Sequence, residues 1–293
     1  MAPVSIKYTD EAYVADYRKG RDGVSDALVD ETLQFLKDQS APDGWSRFVD
    51  VGCGHAVSSL RFLEKLPQGV TALCCDASAA QVESAKLTFE AQHDLKGRVE
   101  FAVCAAESPA VADASADLVT CCMCFHYLDK ERFFAEATRV LKPAGVLAVL
   151  GYGFPRVVGD RWTQRQAGDF FSVIREYLEA ASSLGNAESA FWFKKYQYVV
   201  SGYAGLELPF PESKTIVDAP RIWTRRDCIL ADAWAFLRSL RPVNLATQTE
   251  QGRAEFEAMK TKATAQAPEG TADDSPVTIV TPWFAHFSRK PVQ

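Results

Sequence analysis

The chain has 293 residues, 47% of them hydrophobic and 24% charged, with a formal net charge of −6. That length suits one large domain or one domain carrying an insertion. No run approaches the roughly 20 apolar residues of a membrane span, and net negative charge gives no general attraction to a phosphate backbone, so neither membrane nor nucleic acid is expected as partner.

The opening segment "MAPVSIKYTDEAYVADYRKGRDG" lacks the apolar centre of a secretory signal, and its mixture of acids and bases is unlike a transit peptide, which makes cytoplasm the default expectation. "SDALVDETLQFL" reads as the first helix. From residue 48 to about 152, short apolar runs alternate with amphipathic stretches, as in βαβ units on a parallel sheet. "RFVDV" leads to "AVSSLRFLEKL", "VTALCCD" to "SAAQVESAKLTFEAQ", "VEFAVCAA" to a short polar link, and "ADLVTCCMCF" to "DKERFFAEATRVL"; "GVLAVLGYG" closes the series as a fifth strand. Ser78 and Asp129 stand where N-caps belong. In "KPAG", Pro143 stops the helix and Gly145 permits the turn into the strand.

Past Gly153 the pattern changes. "RWTQRQAGDFFSVIREYLEAASSL" and "RRDCILADAWAFLRSL" read as helical, "FWFKKYQYVVSGYAGLELPFP" as strand or loop, residues 266–276 as a loop, and "VTIVTPWFAHFSRK" as a last strand. Most of the eight cysteines fall inside strand-like runs. Cys121 and Cys124 form a C-x-x-C with no second pair nearby, so core thiols are expected rather than a disulfide framework or a metal site.

The stretch "FVDVGCGHAVSSL" runs a strand through two glycines into a helix, which gathers backbone N–H groups and the positive end of a helix dipole at one point. Gly52 and Gly54 match the first two glycines of the dinucleotide fingerprint, but Val57 stands at the third. Asp76 ends the second strand 22 residues after Gly54, where a carboxylate can accept from both hydroxyls of a ribose, as any adenosine cofactor would require.

"VDVGCGHA", "CCDAS", "AAESPAVADASADLVTCCMCFHYLD" and "RVLKPAGVLAVLGYG", taken in order, resemble the motifs of the class I S-adenosylmethionine-dependent methyltransferases over about residues 30 to 153. The "GYGFP" exit from the fifth strand, the segment after it and "TPWFAHFSRK" are most similar to the trans-aconitate methyltransferase branch. The resemblance implies an α/β fold with a doubly wound, mostly parallel seven-stranded sheet, an antiparallel last strand and a partly helical insertion. It implies one domain over 1–293: lid and first helix at 1–47, cofactor core at 48–153, substrate-shaping insertion with the remaining sheet at 154–275, and final strand at 276–293.

Carried over by position, the resemblance sets Asp50, Gly52 and Gly54 against the methionine and ribose of S-adenosylmethionine, with Cys53 and His55 contributing backbone. Asp76 would hold the ribose, Ala77 would pack near the adenine, and Ala106 with Glu107 would reach its edge. Phe125 and His126 would face the methyl-transfer centre. Tyr17 is expected to close over the cofactor, and Tyr13, Tyr127, Tyr152, Trp162 and Arg225 to meet the substrate. Ala56 stands where many relatives carry a third glycine, and Tyr127 where the aconitate branch often has Trp.

The expected reaction is O-methylation of a small carboxylic acid to its methyl ester, with no metal. A carboxylate, with a pKa near ~4, is already ionised at neutral pH and requires no base. A phenol, alcohol or amine acceptor is the alternative, and for an acceptor that had to lose a proton His126 is placed to serve as base. Two further alternatives are a nicotinamide-dependent oxidoreductase and a non-catalytic fold that binds the cofactor or another protein. Nothing in the sequence specifies an oligomeric state.

Overall fold

Strands covered on both faces of a parallel sheet read as near-continuous apolar runs, and the runs of the first half fold as β1 (Arg47–Val51), β2 (Thr71–Asp76), β3 (Val99–Val103), β4 (Ala116–Cys122) and β5 (Leu141–Tyr152). The computed structural model describes residues 21, 23–39, 44–90, 92–184 and 187–292. Tyr13 and Tyr17, expected at the lid, lie outside these residues.

Four helices accompany the strands: α1 (Asp26–Lys37), α2 (Val57–Lys65), α3 (Ala79–Glu90) and α4 (Lys130–Val140). Their starts follow local chemistry. Ser25 Oγ accepts from the Leu28 N–H at 3.1 Å and an Asp129 carboxylate oxygen from the Arg132 N–H at 3.2 Å, each satisfying a first-turn donor. Ser78 Oγ does the same for Gln81 at 3.4 Å. Leu28, Val29, Thr32, Phe35 and Leu36 form the buried stripe of α1, which packs on the sheet.

The chain after Gly153 contributes β7 (Glu212–Ile216) and β10 (Trp283–Arg289), and the main sheet has the order β3-β2-β1-β4-β5-β10-β7. β10 lies between β5 and β7, antiparallel to both, while β1 to β5 pair in parallel. The strand order reverses between β1 and β4, and ligands of doubly wound sheets bind outside the strand C-termini at such a switch point. Arg289, fully buried in β10, donates to the carbonyls of Phe35, Leu36 (3.2 Å) and Ala144 (3.3 Å) and to Glu212 Oε1 (2.8 Å), tying α1 to this side of the sheet.

A second sheet was not foreseen. β6 (Arg156–Val158), β8 (Thr224–Ile229) and β9 (Pro276–Thr281) form three antiparallel strands in the order β6-β9-β8. The expected single last strand is two strands divided at Pro282, which has no N–H to donate: 276–281 serves the small sheet and 283–289 the large one. "TRRDCI", expected to be helical, is β8, its residues alternating between half-buried and exposed, and the helix α7 (Leu230–Arg238) begins only after it. The aromatic stretch expected as strand or loop forms α6 (Ala187–Val200), following α5 (Gln164–Leu184). Its bulky residues favour strands weakly, but Phe193, Tyr196 and Val200 recur at helical spacing and pack toward α5. The helices α8 (Arg241–Ala246) and α9 (Glu250–Thr264) complete this layer. Among the described residues no helix is long and apolar enough to cross a membrane.

Candidate active site

Three left-handed residues shape the turn after β1: Gly52 at φ +63°, Gly54 at +55° and Ala56 at +59°. Gly52 is irreplaceable on two counts, since a Cβ there would come within 2.6 Å of Cys124 Cβ and Sγ. Ala56 holds its unfavourable conformation with its methyl fully buried beside Cys74 and Ala85. It precedes α2 without offering a side-chain cap, so the first N–H groups of that helix face the turn.

Asp76, at the end of β2, reaches across to this turn. Its Oδ2 accepts from the Gly54 N–H at 3.0 Å and its Oδ1 from the Ser78 N–H at 2.8 Å. Burial raises its pKa, and the two N–H bonds act against that rise. Each carboxylate oxygen has two acceptor positions, so both oxygens retain one for a further donor.

Asp50 sits beneath the turn rather than on its surface, only 1% exposed. Ser59 Oγ donates to its Oδ2, and Thr120 Oγ1 to its Oδ1 at 2.6 Å, which joins β1 to α2 and β4. Burial pushes its pKa up to about 6, against the opposing effect of both hydroxyls.

Above lies a crevice enclosing about 410 Å³, part of it open to solvent, walled by Gly52, Cys53, Gly54, His55, Val57, Ser58, Cys122, Met123, Tyr152, Trp283 and Arg21. Arg21 donates to the Tyr152 hydroxyl and, from Nε, to Ser239 Oγ at 3.1 Å, with its guanidinium 4.9 Å from the Phe236 ring centroid. Arg21, Met123 and Trp283 were not singled out from the sequence. Arg21 is held by residues more than 130 positions away, so no local pattern marks it. Met123 sits at φ +56° directly after β4 and is betrayed only by that turn.

The remaining expected residues divide. Ala77 is exposed beside Asp76, Ala106 is buried, and Glu107 Oε1 accepts from the Asp129 N–H at 2.9 Å, which pins the loop after β3 to the cap of α4. Phe125, expected to face the transfer centre, is fully buried with ring centroids 5.6 Å from Phe134 and 5.3 Å from Tyr203, so its side chain belongs to the core. His126 is buried with its Nδ1 2.9 Å from the Tyr203 hydroxyl, and Tyr127 lies against it, ring centroids 3.8 Å apart. Burial, with the charges of Lys195 and Arg21, pushes the His126 pKa down to about 3. Trp162 and Arg225 are not at the crevice: Trp162 packs on Phe170 at 5.2 Å beside the small sheet, and Arg225 is an exposed β8 residue paired with Val280. The insertion folds as its own sheet there and carries both away from the wall.

A left-handed turn at a switch point, uncapped N–H groups and an acid at the end of the neighbouring strand together define a cofactor crevice of the doubly wound α/β class. The residues also suit the group their order implies. Asp76 offers two acceptor positions to vicinal hydroxyls, and the walls include the soft, polarizable sulfurs of Cys53, Cys122 and Met123.

Residues 49–149 match the model of the methyltransferase domain family. The match makes this stretch similar to methyltransferase domains, with S-adenosylmethionine as the cofactor that the crevice suits, and it sets the nicotinamide alternative aside. The chain is 38% identical over 121 residues to a malonyl-[acyl-carrier protein] O-methyltransferase of Hahella chejuensis, covering 41% of this chain and 40% of that protein. It is 27% identical over 145 residues to an uncharacterized methyltransferase of Schizosaccharomyces pombe, covering 50% and 53%. The chain thus spans about half the length of these curated relatives. A solved structure from Anaeromyxobacter dehalogenans, assigned as a type II methyltransferase, shares the fold with a TM-score of 0.65 at 22% identity, covering 92% of this chain and 99% of that one.

Proposed function

We propose that the chain as a whole is an enzyme that methylates the carboxylate of a small organic acid, giving a methyl ester, as the resemblance to the trans-aconitate branch suggests. The observation that carries this reading is the environment of His126. Burial, with smaller effects of the Lys195 and Arg21 charges, pushes the imidazole pKa down to about 3, so the side chain expected to do base work is neutral and a poor proton acceptor at neutral pH. An acceptor that arrives already ionised needs no base, and Arg21 in the crevice wall would attract it.

When bound, the cofactor supplies a methyl group activated by its sulfonium. The chain's own part is to align and to exclude water, and alignment alone can be worth on the order of 7 to 11 kcal/mol. Asp76 would hold the ribose hydroxyls, with Ala77, Ala106 and Glu107 toward the adenine. Backbone of Gly52, Cys53 and Gly54 would line the methionine portion, over the negative field of Asp50. Arg21 would pair its planar guanidinium with a carboxylate, Tyr152 fixing its orientation. His126 and Tyr127 would shape the acceptor end, Tyr17 would close over the cofactor and Tyr13 would meet the substrate. We assign one domain to residues 1–293, a small molecule rather than a nucleic acid as partner, and a reducing compartment such as the cytoplasm, which suits eight free thiols.

The test is incubation of the purified chain with methyl-labelled S-adenosylmethionine and fractionated acidic metabolites. Label in a base-labile product supports ester formation; label confined to base-stable phenolic ethers or amines refutes it.

A further inference from the structure

A second hollow lies between α5 and α6, enclosing about 850 Å³, part of it open to solvent. Phe154, Phe171, Leu178, Phe193, Tyr196 and Val200 supply its apolar walls, and the charged Arg175 and Glu179 stand at the exposed rim. The rings interlock: Phe154 meets Phe171 edge-on at 4.5 Å and Tyr196 at 6.1 Å. One polar atom is shut in among them. The Tyr196 hydroxyl is buried and has no hydrogen-bond partner among the described residues. A buried donor without a partner costs about 1–3 kcal/mol, which a ligand oxygen at that point would offset.

The hollow adjoins the cofactor crevice. Phe154 follows Tyr152, a crevice wall, by two residues and packs edge-on to Phe236 at 6.1 Å, the ring over which the Arg21 guanidinium lies. Arg21 and Tyr152 both act on the ionisation of Tyr196, and burial keeps this phenol protonated far above the ordinary range. It is therefore a donor at any working pH. A cation of the crevice wall, a buried phenolic donor and an apolar chamber are thus neighbours.

Building on the carboxyl-methylation reading, we propose that the acceptor is a monocarboxylic acid with an apolar body, an alkyl chain or an arylalkyl group, whose body fills the α5–α6 hollow while Arg21 and the Tyr196 hydroxyl hold its carboxylate toward the crevice. A polyacid does not suit this site. Its further carboxylates would be desolvated against Phe154, Phe171 and Phe193, and a buried ion without a partner is strongly disfavoured.

The experiment compares kcat/KM of the full chain, with labelled S-adenosylmethionine, for straight-chain monocarboxylic acids from butanoate to dodecanoate, for 3-phenylpropanoate and for trans-aconitate. Each added methylene that enters the hollow should raise kcat/KM about fourfold, and trans-aconitate should fall below butanoate. Phe171→Ala, which enlarges the hollow, should move the preferred chain length upward; a loss spread equally over all acceptors would overturn the proposal. Tyr196→Phe should raise KM for the acid about tenfold or more with kcat and the cofactor Kd little changed; an unchanged KM overturns the role given to the hydroxyl. A flat chain-length profile, or trans-aconitate as the better acceptor, overturns the inference and leaves ester formation standing. Label that reaches no acid at all, with cofactor binding intact, overturns both.

Discussion

Asp50 is a carboxylate that the fold has to bear. Its pKa, ordinarily 3.8, stands at about 6 because it is wholly buried, with a smaller push from the Asp76 charge, and the hydroxyl on each oxygen only partly opposes the rise. A folded-state value above the unfolded one means that the group's favourable contribution is complete below pH about 4 and is lost as the pH rises through about 6. At 1.36 kcal/mol per pH unit, the displacement amounts to about 3 kcal/mol. Asp50→Asn removes the titration and retains a side chain that can accept from one hydroxyl and donate to the other. Between pH 4 and pH 7 the variant should therefore gain about 2.4 kcal/mol of that relative to the parent, or on the order of 5–10 °C in relative melting temperature, measured without cofactor by denaturant and thermal unfolding. It should also bind S-adenosylmethionine more weakly, because the charge beneath the turn is gone. Stability–pH curves that run parallel for the two proteins would refute the assignment.

Gly52→Ala combines a left-handed backbone, costing about 1–2 kcal/mol, with overlap against Cys124; it should lower the melting temperature and abolish cofactor binding in calorimetric titration, and normal binding would contradict the described turn. Asp76→Ala strands the N–H groups of Gly54 and Ser78 and should weaken cofactor affinity by more than about tenfold, a loss of at least 1.4 kcal/mol, with circular dichroism unchanged. The kcat/KM profile should be flat from pH 6 to 8, because the acceptor is ionised and His126 stays neutral; a limb near pH 6.5 that disappears in His126→Asn would identify a base instead. Arg21→Ala should cost roughly 10- to 150-fold in acceptor kcat/KM, from about 1.5–3 kcal/mol for a hydrogen bond to a charged group, and Arg21→Lys should not restore it; full activity in either variant would remove Arg21 from the site.

The cofactor half was legible because its signals are local. Parallel strands must be apolar along their length, caps and glycines punctuate them, and Gly52, Gly54 and Asp76 stand in the order that the crevice requires. The "KPAG" run does not turn from helix to strand: α4 ends at Val140, and the run lies inside β5 where the pairing with β4 shifts register, Ala144 taking the left-handed conformation at φ +63° and Gly145 being small because a Cβ there would press on the Lys142 and Ala116 carbonyls at 2.9 and 3.1 Å. Beyond Gly153 the evidence is tertiary. "RRDCI" is a strand only because β9 pairs with it, and "FWFKKYQYVV" is a helix because α5 and the turn at Phe125–Tyr127 receive its face. Arg21 reaches the site through Tyr152 and Ser239, contacts that no window of sequence contains.

The place of β10 sets a clock on the molecule. Among the described residues β7 has β10 as its sole neighbour in the sheet, and β5 leans on β10 along seven residues from Val146 to Tyr152. A ribosome must add the 73 residues from Ile216 to Arg289 after finishing β7, which at 5–20 residues per second takes about 4 to 15 s. For that interval the nascent chain presents the unpaired backbone edge of β5, and a chaperone that shelters extended segments during translation should raise the yield of folded protein.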